Sequence, residues 1–115
     1  MRPDLDILGD GTRRLILALL TLEHELCVCE LEAALDELQP VVSRQLAVLR
    51  TAGWLEARRE GRRIYYRLDP SLPAWGRRLL DAYSGGGVPE QELQAAQRLL
   101  HAFPGRPVRL TRAAS

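Results

Sequence analysis

Two cysteines, Cys27 and Cys29, stand one residue apart, and the chain of 115 residues has no others. A bridge across so short a span closes no useful loop, so a structural disulfide framework is excluded. The pair is better suited to chemistry. Thiolates ligate thiophilic metals and metalloids, and they oxidise. At positions i and i+2 of an α-helix two side chains point about 200° apart and cannot chelate one ion. In an extended segment they point the same way. Binding one atom through both sulfurs should therefore unwind, or prevent, the first turn of the helix that follows. Thiols at a helix N-terminus should also have lowered pKa values, which favour attack on a soft centre. Two other readings stay open. A disulfide spanning one residue is strained and labile, which suits a redox switch. Buried cysteines are also common in apolar cores with no chemistry at all.

The remaining residues add few ligands. Structural zinc asks for four Cys or His in a tetrahedron. The chain offers two Cys and two distant His, His24 and His101, so no structural cofactor is expected. Gly9-Asp10-Gly11 lacks the strand before it and the Lys after it that a phosphate loop needs. No nucleophile sits beside a recognisable base, so the chain is not expected to be an enzyme. No apolar run approaches the ~20 residues of a membrane helix, and the first residues lack a signal-peptide stretch. A cytoplasmic protein with no membrane partner is expected.

The elements that must position the pair are mostly helical. Pro3 and Asp4 predict a short helix through Leu8. Asp10 reads as the N-cap of a second helix with Leu15, Ile16, Leu19 and Leu20 inward, ending near Thr21 or Leu22. Residues 23–26 form a connection, and a third helix runs from Cys27 or Cys29 to Leu35. Pro40 allows a helix start but no helix interior, so a fourth helix spans Gln39 to about Thr51, with Gly53 as its stop. Val42, Leu46 and Leu49 share its inner arc. Pro40, Ser43, Arg44, Ala47 and Thr51 face outward, and Gln39 and Gln45 lie at the flanks.

A hairpin follows. Residues 54–59 and 63–68 alternate apolar and polar, with Glu60, Gly61 and Arg62 between them. Ile64, Tyr66 and Leu68 lie on one face and Arg63, Tyr65 and Arg67 on the other. The tip is expected to hold Arg58, Arg59, Arg62 and Arg63. A fifth helix covers about 72–83 with Leu72, Trp75, Leu79 and Tyr83 in one stripe. Residues 84–87, Ser-Gly-Gly-Gly, form a flexible joint. Pro89 onward predicts an amphipathic helix with Leu93, Ala96, Leu99, Leu100 and Phe103 on its apolar face, then a loose tail.

Charge follows the same division. The net charge of +1 conceals −6 over residues 1–38, +5 over 39–68 and +2 beyond. The basic segment holds the fourth helix and the hairpin. A helix with a polar, Arg-bearing outer face fits the DNA major groove, and an Arg-rich hairpin suits nearby phosphates or the minor groove. The fold class is thus mainly α with a small β-hairpin, in the order of a winged helix-turn-helix. Residues 1–83 are expected to form the DNA-binding and dimerisation domain, and 84–115 the joint, helix and tail.

Glu25-Leu26-Cys27-Val28-Cys29-Glu30-Leu31 resembles the metalloid-binding signature of arsenic-responsive repressors of the ArsR/SmtB family. The resemblance extends to Asp10-Gly11-Thr12-Arg13, to residues 39–50, through Gly61 to Tyr66-Arg67-Leu68, and to Pro73-Ala74-Trp75. It covers about residues 5–83 and lapses beyond them. It implies a homodimeric repressor that leaves double-stranded operator DNA when trivalent arsenic or antimony, its inducer, binds Cys27 and Cys29. Ser43, Arg44 and Gln45 match the part of the family's recognition helix that approaches bases, although the family often has His in place of Gln45. The resemblance also supports a dimer contact made by the first helix, with Leu5 and Leu8, and the stripe Leu72, Trp75, Leu79, Tyr83. Some members carry a third Cys where this chain has Glu32. The third ligand would then be an outside thiol, hydroxide, chloride, a methyl group already on arsenic, or an oxygen ligand, with Glu32 and His24 as candidates. A redox-responsive repressor using the same pair, or a soluble metalloid-binding protein without DNA, are the competing functions.

Overall fold

The computed structural model describes residues 4–83 and 88–107. The helix start at Pro3, the joint at 84–87 and the tail beyond 107 lie outside the described residues.

The centre of the fold is α1 (Gly11–Glu23), whose residues Ile16, Leu17, Ala18, Leu19 and Leu20 are all buried. The expected stripe underestimates this helix. It has apolar neighbours on all sides, so Leu17 and Ala18 are as deep as Ile16. Asp10 caps it by accepting the Arg13 backbone N–H at 3.1 Å. Ahead of it the expected short helix is a 3-10 helix over Asp6–Gly9. Arg13 and Arg14 reach back from α1 to the carbonyls of Ile7 and Leu8, both at 2.6 Å, and tie the turn down.

At the end of α1 the chain turns sharply through His24, at φ 71°. It then forms β1 (Glu25–Cys27), where the sequence reading placed a plain connection. Three residues show no periodicity of their own. The strand exists because β3 offers it partners.

β2 (Leu55–Glu60) and β3 (Arg63–Leu68) make the expected hairpin, and the sheet order is β1-β3-β2, antiparallel throughout. Gly61, at φ 63°, opens its two-residue turn. Cys27 lies opposite Tyr65, Leu26 opposite Tyr66 and Glu25 opposite Arg67. Tyr66 and Leu68 pack toward the core as expected. Tyr65, on the other face, is buried too, because Arg58 covers its ring with the guanidinium carbon 4.6 Å from the centroid.

α2 (Val28–Leu35) and α3 (Gln39–Thr51) form the helix-turn-helix, and α3 has the bounds its sequence predicts. Val42, Leu46 and Leu49 are fully buried. Gly53, at φ 91°, lets the chain leave α3 for the sheet. Trp54 is fully buried there and donates its indole N–H to the Asp4 carbonyl at 2.7 Å. Trp75, on α4 (Ala74–Ala82), stacks edge-on against it with centroids 6.5 Å apart. α5 (Glu90–Ala102) lies against α2 and α1. Its Leu93, Ala96 and Leu100 join the same core as α1, while Leu99 stays exposed.

Candidate functional site

The junction of β1 and α2 brings the two cysteines together. Cys27 is the N-cap of α2, with extended backbone at φ −87° and ψ 170°, and Cys29 is the second helical residue. Only one of the pair is helical, so the 200° divergence does not arise. The sulfurs converge to 2.8 Å. Bonding through both sulfurs was expected to unwind, or prevent, the first turn of the helix; α2 begins only after Cys27, so no turn need unwind for the sulfurs to meet.

A capping box holds the corner. The Cys27 sulfur accepts the Glu30 backbone N–H, and Glu30 Oε1 accepts the Cys27 N–H at 3.0 Å. Glu30 has no exposed surface, and its Oε2 accepts Arg106 Nε at 2.7 Å. Arg106 also lies 3.8 Å from Glu23. The segment after α5 thus reaches back to the cysteine corner. The Cys-x-x-Glu spacing was a readable sign of this box. No sequence signal points to Arg106.

The helix N-terminus was expected to lower the thiol pKa values. For Cys27 the structure reverses this. Burial pushes its thiol up to about 12, helped by the hydrogen bond to Cys29 and only partly opposed by the Glu30 N–H. Cys29 is half-buried and is the more accessible sulfur.

Both cysteines open on a cavity of 350 Å³, lined by Cys27, Val28, Cys29, Arg62, Arg63 and Ile64. The cysteine corner and the hairpin tip therefore share one space. His24 and Glu32 do not line it. Among the described residues, no three His, Cys, Asp or Glu side chains gather as a metal site. The donor set suits a thiophilic atom held by two sulfurs from the protein.

The basic surface divides into free and occupied cations. Arg59, Arg62 and Arg63 are exposed at the hairpin tip. Arg58 is not at the tip, which corrects its expected place. It lies opposite Tyr65, and its guanidinium grips the buried Glu25 through two 2.6 Å contacts and Glu60 at 2.8 Å. These carboxylates raise its pKa further above the ordinary arginine value. On α3, Gln39 and Arg44 are exposed, and Ser43 accepts a hydrogen bond from Gln39 at 2.7 Å. Gln45 is half-buried, and its amide oxygen accepts from Arg13 at 2.9 Å.

The residues assigned to a dimer contact also divide. Leu8 and Leu72 are buried within the chain and offer little to a partner. Leu5 is exposed, and Trp75, Leu79 and Tyr83 are partly buried.

A helix-turn-helix followed by a basic hairpin defines a winged helix-turn-helix regulator. The family model for bacterial regulatory proteins of the arsR family matches residues 10–56. The chain is 49% identical over 75 residues to the arsenical resistance operon repressor of Escherichia coli, covering 65% of this chain and 64% of that one. It is 43% identical over 102 residues to the arsenic resistance transcriptional regulator ArsR2 of Pseudomonas putida KT2440, covering 89% and 87%. Among solved structures, HlyU from Vibrio cholerae superposes with a TM-score of 0.61 at 29% identity, over 68% of this chain and 80% of that one. The chain belongs to the arsR family of bacterial regulatory proteins.

Proposed function

We propose that this protein is a metalloid-responsive transcriptional repressor. It binds operator DNA as a homodimer and releases it when trivalent arsenic or antimony bonds to Cys27 and Cys29. The observation that carries the reading is the 2.8 Å convergence of the two sulfurs at a corner joined to both DNA-facing elements. Cys27 belongs to β1, which pairs with β3 of the wing. Cys29 belongs to α2, which packs on α3. The names of the Escherichia coli and Pseudomonas relatives support arsenic as the signal.

The mechanism follows from where the two sulfurs sit. They lie side by side, one on β1 and one on α2, so an atom bonded to both would fix β1 relative to α2. Any shift of the sulfurs on bonding would move β1 against α2 and load the Glu30 capping box. A small displacement in a packed interior shifts whole elements rather than dissipating. The wing and α3 then no longer match the groove together.

On DNA, the outer face of α3, with Gln39, Ser43, Arg44 and the flanking Gln45, enters the major groove. Arg59, Arg62 and Arg63 of the wing contact phosphates or the minor groove. A two-fold dimer, joined through Leu5, Trp75, Leu79 and Tyr83, reads two half-sites about one helical turn apart.

Gel shift on the DNA upstream of the gene, with and without arsenite, tests the whole. Cys27→Ser and Cys29→Ser should each bind that DNA and fail to release it. Arg44→Ala should lose sequence preference, and Arg62→Ala should weaken binding to every sequence and reduce the salt slope by about one. If both cysteine variants still release DNA at the wild-type arsenite level, the pair is not the sensor.

A further inference from the structure

We propose that the bound metalloid carries a small thiol bearing carboxylate groups as its third substituent, and that Arg62 and Arg63 recognise those carboxylates. The proposal rests on the reading of Cys27 and Cys29 as the metalloid site and names what completes it.

Trivalent arsenic takes three ligands and the chain supplies two. Among the described residues no ligand besides the two cysteines lines the cavity, and His24 and Glu32 do not reach it. In this proposal the third ligand comes from outside. The cavity, 350 Å³ and open to solvent, leaves room beside the two sulfurs for a substituent larger than hydroxide. Its lining chooses among the larger candidates. Val28 and Ile64 give an apolar wall that suits a short carbon chain. Arg62 and Arg63, both exposed, line its rim from the hairpin turn, and among the described residues no acidic one lines the space. Guanidinium forks fit carboxylates with paired, charge-assisted hydrogen bonds. A neutral thiol would leave these cations unused, and a cationic thiol would meet repulsion.

The exchange balances without a redox step. Arsenite enters with three hydroxyl groups on arsenic. Three As–O bonds break, and three As–S bonds form to Cys27, Cys29 and the outside thiol. Each thiol proton leaves with a hydroxyl as water, three waters in all, and arsenic stays trivalent. The adduct also touches the DNA surface directly. Carboxylates seated on Arg62 and Arg63 occupy groups that the repressor reading assigns to DNA. Charge neutralisation at the wing would then act alongside any shift of β1 against α2.

Equilibrium dialysis of the DNA-free protein against arsenite, with bound arsenic quantified, tests this. The buffer thiol is mercaptosuccinate (two carboxylates), 2-mercaptoethanol (neutral) or cysteamine (cationic). Half-saturation should fall about tenfold from the neutral thiol to mercaptosuccinate, as expected for charge-assisted hydrogen bonds, and should be poorest with cysteamine. The ratio of half-saturation between the Arg62→Gln, Arg63→Gln double variant and wild type cancels each free thiol's own affinity for arsenic; it should be about tenfold for mercaptosuccinate and within about twofold of one for 2-mercaptoethanol. Raised salt should shrink the mercaptosuccinate ratio. A ratio that is the same for all three thiols overturns the proposal while leaving the cysteine sensor standing. No arsenic retained with any thiol, or equal retention by Cys27→Ser, overturns the sensor and this inference together.

Discussion

Two buried glutamates flank the cysteine pair, and they face different halves of the molecule. Glu25, two residues before Cys27, is 5% exposed and is gripped by Arg58 of the wing. Glu30, one residue after Cys29, has no exposed surface and holds both the Cys27 N–H and Arg106. The first clamp joins the corner to the wing, and the second joins it to the segment after α5. On the proposed mechanism the difference separates two tasks: the Glu25 pair would transmit, and the Glu30 pair would set how firmly the corner resists opening.

The largest effect is expected at Glu30. Glu30→Ala removes the acceptor of the Cys27 N–H and strands Arg106, and should lower the unfolding free energy by about 3 kcal/mol in urea denaturation. Glu30→Gln keeps an acceptor for the N–H and should cost about half as much. Glu25→Ala comes next, at about 2 kcal/mol, because Arg58 is partly exposed and can rehydrate. If the Glu25 pair transmits, this variant should also lose DNA affinity and release DNA poorly with arsenite, as read by fluorescence anisotropy.

Arg106→Gln should act in the opposite pattern. DNA affinity should stay within about twofold, while the arsenite needed for half-release falls severalfold, in the range of about 0.5–2 kcal/mol typical of coupling through packed contacts. Equal effects of the Glu25 and Arg106 variants on DNA affinity would erase the distinction between the clamps.

The smallest effect concerns pH. The Cys27 thiol has a folded pKa of about 12 against an ordinary value of 9.0. Its folded value is raised, so its contribution to stability is complete below pH 9.0 and is lost as pH rises toward 12. Cys27→Ser should lose this part of the alkaline decline, as seen in paired urea titrations between those limits. Iodoacetamide should likewise modify Cys29 well before Cys27.

Legibility differed sharply between these regions. α3 could be read to about its ends, because Pro40, the Val42–Leu46–Leu49 arc and Gly53 are local signals that tertiary contacts merely confirm. The hairpin was readable for the same reason. β1 was not, since three residues carry no period and the strand depends on β3, almost forty residues away. The cysteines were found by type and spacing. Their geometry was misjudged, because a helix boundary one residue off decides whether i and i+2 diverge or meet. Arg58 was misplaced because charge patterning does not show that a buried glutamate waits across the sheet. Arg106 followed from nothing local. It contacts Glu30 across 76 positions of sequence.

The sheet order has one more consequence. A strand at the edge of a sheet is a template on which another chain can grow. Here both edges are poor templates. β1 is three residues long and turns at once into α2. β2 reads Leu-Glu-Ala-Arg-Arg-Glu, so four of its six positions are charged. If the wing leaves DNA as proposed, its edge is uncovered each time. The charges of β2 and the brevity of β1 let both edges be uncovered without seeding a fibril.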